Sequence, residues 1–160
     1  MRHKNNVKQL NKSHAHRKAM FSNMLTSFFQ HERIVTTKQK GKEQKRLSEK
    51  MITRAKRNLK IDDKEVEKKL HNKREIMKVI KNRDVVNKLF EKIAPRFIDR
   101  NGGFTRLYLL GRRAGDAAEM AIVELVVRES KAPKTEKASG ETKEKKKSKF
   151  NLKGKEKDKK

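Results

Sequence analysis

Apolar positions recur at helical spacing soon after the start of the chain. Met20, Met24 and Phe28 are four apart, and so are Phe21, Leu25 and Phe29, which together draw one broad stripe. Ser13 stands in front of that stripe as the expected N-cap. The short β-branched run Glu32-Arg33-Ile34-Val35-Thr36-Thr37 then predicts a strand. A second helix is expected from Thr36 or Thr37, where Thr36 and Gln39 have the capping-box spacing. Leu47, Met51, Ile52, Ala55 and Leu59 line one face of it. A third helix, capped by Asp62 or Asp63, carries the weaker stripe Val66, Leu70, Met77 and Ile80. A fourth, from about Asn82 to Ala94, buries Val86, Leu89, Phe90 and Ile93 and stops at Pro95.

Beyond Pro95 the period changes to two. Residues 104–110 and 120–127 predict strands, and Ala121, Val123, Leu125 and Val127 form one apolar face of the second. The short, glycine-bearing link 111–116 makes them an antiparallel hairpin. The expected architecture is α+β, in the order α-β-α-α-α-β-β, with about four helices packed on one face of a small sheet. Residues 1–12 lack periodicity and read as an extended basic arm. From Lys131 to Lys160 there are 13 Lys and 5 acids but only Phe150 and Leu152 as large apolar side chains. Such a tail does not bury enough surface to offset its ordering entropy and is expected to be disordered, leaving residues 1–130 as the domain.

Charge sharpens this picture. Lys and Arg number 46 against 20 Asp and Glu, a formal +26, with 41% of residues charged and 32% hydrophobic. A balance this basic speaks of partners, and nucleic-acid phosphate is the obvious counter-charge. An anionic membrane surface is the rival, but the chain has no Trp for an interfacial helix. No apolar run exceeds four residues, the opening lacks a signal-like apolar stretch, and cysteine is absent. The expectation is an intracellular, soluble, polyanion-binding protein. No Walker loop, GxGxxG, GxSxG or HExxH occurs, so neither catalysis nor a cofactor or metal is expected.

The first 31 residues hold six Lys or Arg, four His and no acid, which suits a phosphate-contacting arm better than a solvated tail. Arg2, His3, Lys4, Lys8, Lys12, His14, Arg17 and Lys18 are its candidate RNA contacts. Around Gly102-Gly103, Arg96, Arg100 and Arg106 supply planar forks suited to phosphate, and Arg112-Arg113 do so at the hairpin turn. The same glycines also read simply as a helix-to-strand corner plugged by Phe97 and Phe104. Lys42, Lys45, Arg46, Lys50, Arg54, Lys56 and Arg57 on the second helix are open to two readings, an RNA-facing surface or a merely solvated one.

Several blocks of the chain then fall into a known order. These are Met1-Arg2-His3, Gln9-Leu10-Asn11, Ser13-His14 with Arg17, Met20-Phe21 with Met24, and Thr36-Thr37 with Lys40, Lys42 and Glu43. Further along come Pro95-Arg96-Phe97, Arg100, residues 102–106, Arg113-Ala114-Gly115-Asp116, Met120-Ala121 and residues 122–125. Over about residues 1–128 the chain resembles the family of the seventeenth protein of the bacterial large ribosomal subunit. The resemblance implies a structural, non-catalytic component of the cytoplasmic ribosome, bound to large-subunit ribosomal RNA on the solvent side near the tunnel exit. It also implies a small neighbouring protein, the thirty-second, as a contact. Composition alone leaves an architectural DNA-binding protein as the alternative, because an arginine wedge in a narrow minor groove has the same signature.

Overall fold

A computed structural model describes residues 8–62 and 64–128. Arg2, His3, Lys4, most of the predicted arm and the predicted tail lie outside the described residues. The elements are α1 (His14–His31), β1 (Arg33–Thr37), α2 (Lys38–Leu59), α3 (Val66–Met77), α4 (Arg83–Lys88), β2 (Thr105–Arg112) and β3 (Glu119–Leu125). The class is α+β and the order is the expected one. β3 is the central strand, antiparallel to β1 on one side and to β2 on the other.

Ser13 caps α1, its hydroxyl accepting from the His16 N–H at 3.4 Å. Phe21, Leu25, Phe28 and Phe29 are buried, while Met20 and Met24 at the edge of the stripe are half-buried. The helix runs into β1 through a single residue, Glu32, held at φ 60° with its N–H donating to the Phe28 carbonyl at 2.7 Å. Glycine usually takes this left-handed position. Glu32 is kept there by its buried carboxylate, which meets Lys88 at 3.0 Å and Arg96 at 2.9 Å.

Thr36 pairs with Ala121 inside the sheet, so it does not cap α2. Thr37 occupies that position without a side-chain capping bond, and the expected capping box does not form. The buried line of α2 also differs from the expected one. It comprises Gly41, Glu43, Gln44, Ser48, Ile52, Ala55 and Asn58, with Leu47 and Met51 half-buried beside it and Leu59 exposed. Close approach explains the shift, since a Cβ on Gly41 would stand 3.2 Å from both Leu107 and Val123. Where helix and sheet come this near, small side chains occupy the seam and the large ones sit at its edge.

The third helix is capped by Glu65 without a side-chain bond, and Asp62 contributes only its carbonyl, which accepts from the Glu65 N–H at 3.1 Å. Asp63 lies outside the described residues. Ile76 and Ile80 are buried, whereas Val66 and Leu70 are exposed. The fourth helix begins at its Asn82 cap, but it does not end at Pro95. A π turn spans Leu89–Ile93, in which the Ala94 N–H reaches back to the Leu89 carbonyl, and a 3-10 turn over Ala94–Phe97 takes in Pro95. The π turn resets the hydrogen bonding, so Pro95 falls in the first positions of a new turn, where its missing N–H costs nothing. Phe97 is thereby carried into the core, edge-to-face against Phe104 with ring centroids 5.3 Å apart.

The hairpin forms as expected, with an irregularity between Leu109 and Gly111 where the register shifts. Ala121, Val123 and Leu125 are buried, but Val127 lies beyond the strand and is exposed.

Candidate nucleic-acid interface

The predicted contacts fall into three surroundings. Lys8, His14, Arg17 and Lys18 come together around a cleft of about 460 Å³ between α1 and α2, which also takes in Gln9, Phe21, Leu25, Glu43, Arg46, Leu47 and Val79. Lys8 Nζ donates to Gln39 Oε1 at 3.0 Å, which ties the segment before α1 to the start of α2. Lys12 sits one turn before His16, with Nζ and Nε2 3.3 Å apart.

Arg46 and Val79 also border a second cleft of about 580 Å³, between α2 and α3, whose cations are Lys50, Arg54 and Arg57. The two clefts adjoin at Arg46 and Val79 and together make a basic trough along α2. Its acids are occupied: Glu43 accepts from Arg46 at 2.9 Å, Glu75 accepts from Arg54 at 3.0 Å and from Lys78, and Glu49 accepts from the Thr105 hydroxyl at 3.0 Å. Those hydrogen bonds, Lys78 first and Arg54 second, lower the Glu75 carboxyl below its usual range. The reading of α2 as a basic face thus gains a concave geometry. The basic residues were visible in the sequence, but the concavity depends on α1 and α3 packing against α2 and leaves no trace in spacing.

The glycine corner separates its arginines. Gly103 has φ 62°, a left-handed conformation that leaves Phe104 free to enter the core as β2 begins. Arg96 is turned inward to Glu32, so its first role is to hold the α1–β1 joint. Arg100 is exposed, its Nε donating to the Gly102 carbonyl at 3.2 Å, while its own carbonyl accepts from Lys56 Nζ. Arg106 points away from α2, in register with Glu124 and beyond it Arg33.

At the hairpin end, Arg112 is exposed opposite Glu119, and Lys38 holds that carboxylate at 2.8 Å. Arg113 forks onto Asp116 with two bonds of 2.9 and 2.6 Å. The Arg113 fork, helped by the Ala118 N–H, lowers the Asp116 carboxyl to about 2. Arg113 therefore braces the turn, and Arg112 is the less constrained of the two. Among the described residues no His, Cys, Asp and Glu cluster could hold a metal ion, and no helix is long and apolar enough to cross a membrane.

Comparison with known proteins gives this basic α+β domain its relatives. The family model of Ribosomal protein L17 matches residues 20–126. The chain is 51% identical over 119 residues to the large ribosomal subunit protein bL17 of Halothermothrix orenii, covering 74% of this chain and 96% of that protein. It is 50% identical over 126 residues to the bL17 of Borrelia hermsii, covering 79% and 94%, and 48% identical over 126 residues to that of Desulfotalea psychrophila, covering 79% and 90%. A match through every element from α1 to β3, at this identity, means that the chain belongs to the ribosomal protein L17 family.

Proposed function

We propose that this protein is a structural constituent of the large ribosomal subunit, where it binds and bridges large-subunit ribosomal RNA in the cytoplasm and performs no catalysis. The observation that carries the reading is the joining of family membership to a one-sided charge: cations outnumber acids along the trough, where Glu43 and Glu75 are held in ion pairs and Glu49 accepts from the Thr105 hydroxyl. Folded RNA offers phosphates from several helices at once, and a rigid basic domain with a basic arm engages more than one of them. Arg2, His3, Lys4, Lys8, Lys12, His14, Arg17 and Lys18 serve as the arm-side contacts. Arg100, Arg106 and Arg112 serve on the opposite half of the sequence, with Arg96 and Arg113 positioning the backbone around them. A neighbouring large-subunit protein, the thirty-second, is the protein contact that the family implies.

Sedimentation of a cell lysate through a gradient tests this directly. The protein is expected with the large subunit, and ribonuclease but not deoxyribonuclease should release it. Release by deoxyribonuclease would favour an architectural DNA-binding role instead.

A further inference from the structure

The cleft between α1 and α2 is not simply a phosphate groove. Its lining changes character with depth. Leu25 and Phe21 are buried at its base, and Leu47 and Val79 are half-buried beside them. The cations stand at the mouth, where Lys8, Lys18 and Arg46 are exposed and Arg17 is half-buried. Glu43 is the one carboxylate lining it, and its bond to Arg46 keeps the mouth positive overall. A groove that only tracks a sugar-phosphate backbone needs cations and has no use for an apolar floor bearing an aromatic ring.

We propose that this cleft receives a single unstacked RNA nucleotide, its base against Phe21 and Leu47 and its flanking phosphates on Arg17, Lys18 and Arg46. The size fits, because about 460 Å³ lies within the range of sites that enclose small molecules, roughly 300–1,000 Å³. The chemistry fits as well. Single-stranded loops and bulges are recognised by splaying a base onto aromatic or arginine planes, and phosphates beside it take the cations. The assignment rests on the ribosomal-RNA reading above and makes it specific: the protein selects a structural irregularity in RNA and not merely its charge. Although the chain has one Tyr and no Trp, it offers Phe21 at the bottom of a basic funnel.

The test uses the full chain and two probes, a perfect RNA duplex and the same duplex interrupted by a single-stranded internal loop. The unaltered protein should bind the looped RNA about five-fold or more tightly than the duplex. Leu47→Trp fills the cleft without removing a cation, so it should abolish that preference. Duplex affinity and the dependence of binding on salt should stay unchanged, because no phosphate contact is lost. Phe21→Leu keeps apolar volume but removes the ring, and it should lose part of the preference even if the tryptophan variant fails to fold. Equal binding of both probes by the unaltered protein, or a preference that survives both substitutions, overturns the proposal. Binding of neither probe would overturn the RNA-binding reading itself, so the two failures are distinguishable.

Discussion

One face of the three-stranded sheet lies against α2 and the other is largely open, and away from the irregularity at Leu109–Gly111 register assigns the strand residues to one or the other. Ile34, Val123 and Leu107 share a row on the covered face, as do Thr36 and Ala121. The intervening rows fall on the open face: Arg33, Glu124 and Arg106 in one, Val35, Ile122 and Tyr108 in the next. Val35 is 58% exposed and Tyr108 46%, whereas Ile122 between them is only 7% exposed. Its two cross-strand neighbours shield it. The covered face is held by packing at close range and the open one by lateral contacts within the sheet. Stability should therefore be concentrated on one side and charge, free to engage a partner, on the other.

The sharpest way to break this contrast is to remove a large side chain from each face. Leu125→Ala, wholly buried on the central strand, should lower stability by about 2–5 kcal/mol, read as a fall in chemical or thermal midpoint. Next in size is the α2 seam. Gly41→Val forces a branched side chain toward Leu107 and Val123 and should cost about 1–3 kcal/mol. An unchanged melt would mean that α2 sits farther from the sheet than 3.2 Å contacts allow.

On the open face the expected effects are smaller and of another kind. Arg106→Ala should leave stability within about 0.5 kcal/mol. It should weaken binding to large-subunit RNA and reduce the salt slope by about one unit. Loss of stability with unaltered binding would invert the division of labour between the faces. The smallest effect belongs to the hairpin end. Asp116 titrates at about 2, below the usual 3.8, so its contribution is present above pH 3.8 and fades as pH falls toward 2. Following the Asp116 carboxyl by NMR should give that low midpoint, and Arg113→Ala should return it toward 3.8.

The contrast also explains what could be read from the sequence. The α1 stripe and the alternation in β3 were legible because large apolar side chains repeat with the period of their element. The seam of α2 was not, because Gly41, Gln44 and Ser48 are buried by proximity and carry no apolar signal. Pro95 reads as a stop in the sequence because the π turn ahead of it, which removes the penalty, leaves no sequence period of its own. Of the candidate site, residue types were legible and partners were not. Arg96 and Arg106 look alike in sequence, yet one closes on a buried carboxylate and the other lies open on the sheet.

The placement of β3 in the middle of the sheet has a consequence for the order in which the molecule is made. β1 finds its only described strand partner at the opposite end of the domain, and the Glu32 carbonyl likewise waits for the N–H of Leu125. At about 5–20 residues per second of synthesis, β1 precedes β3 by on the order of ten seconds. During that interval α1 and α2 can form from local contacts, while the strand between them has an unpaired backbone on both edges. Closing a loop this long makes sheet assembly the slow, late event. Translation thus leaves the helices to form first and the last strand to lock the whole.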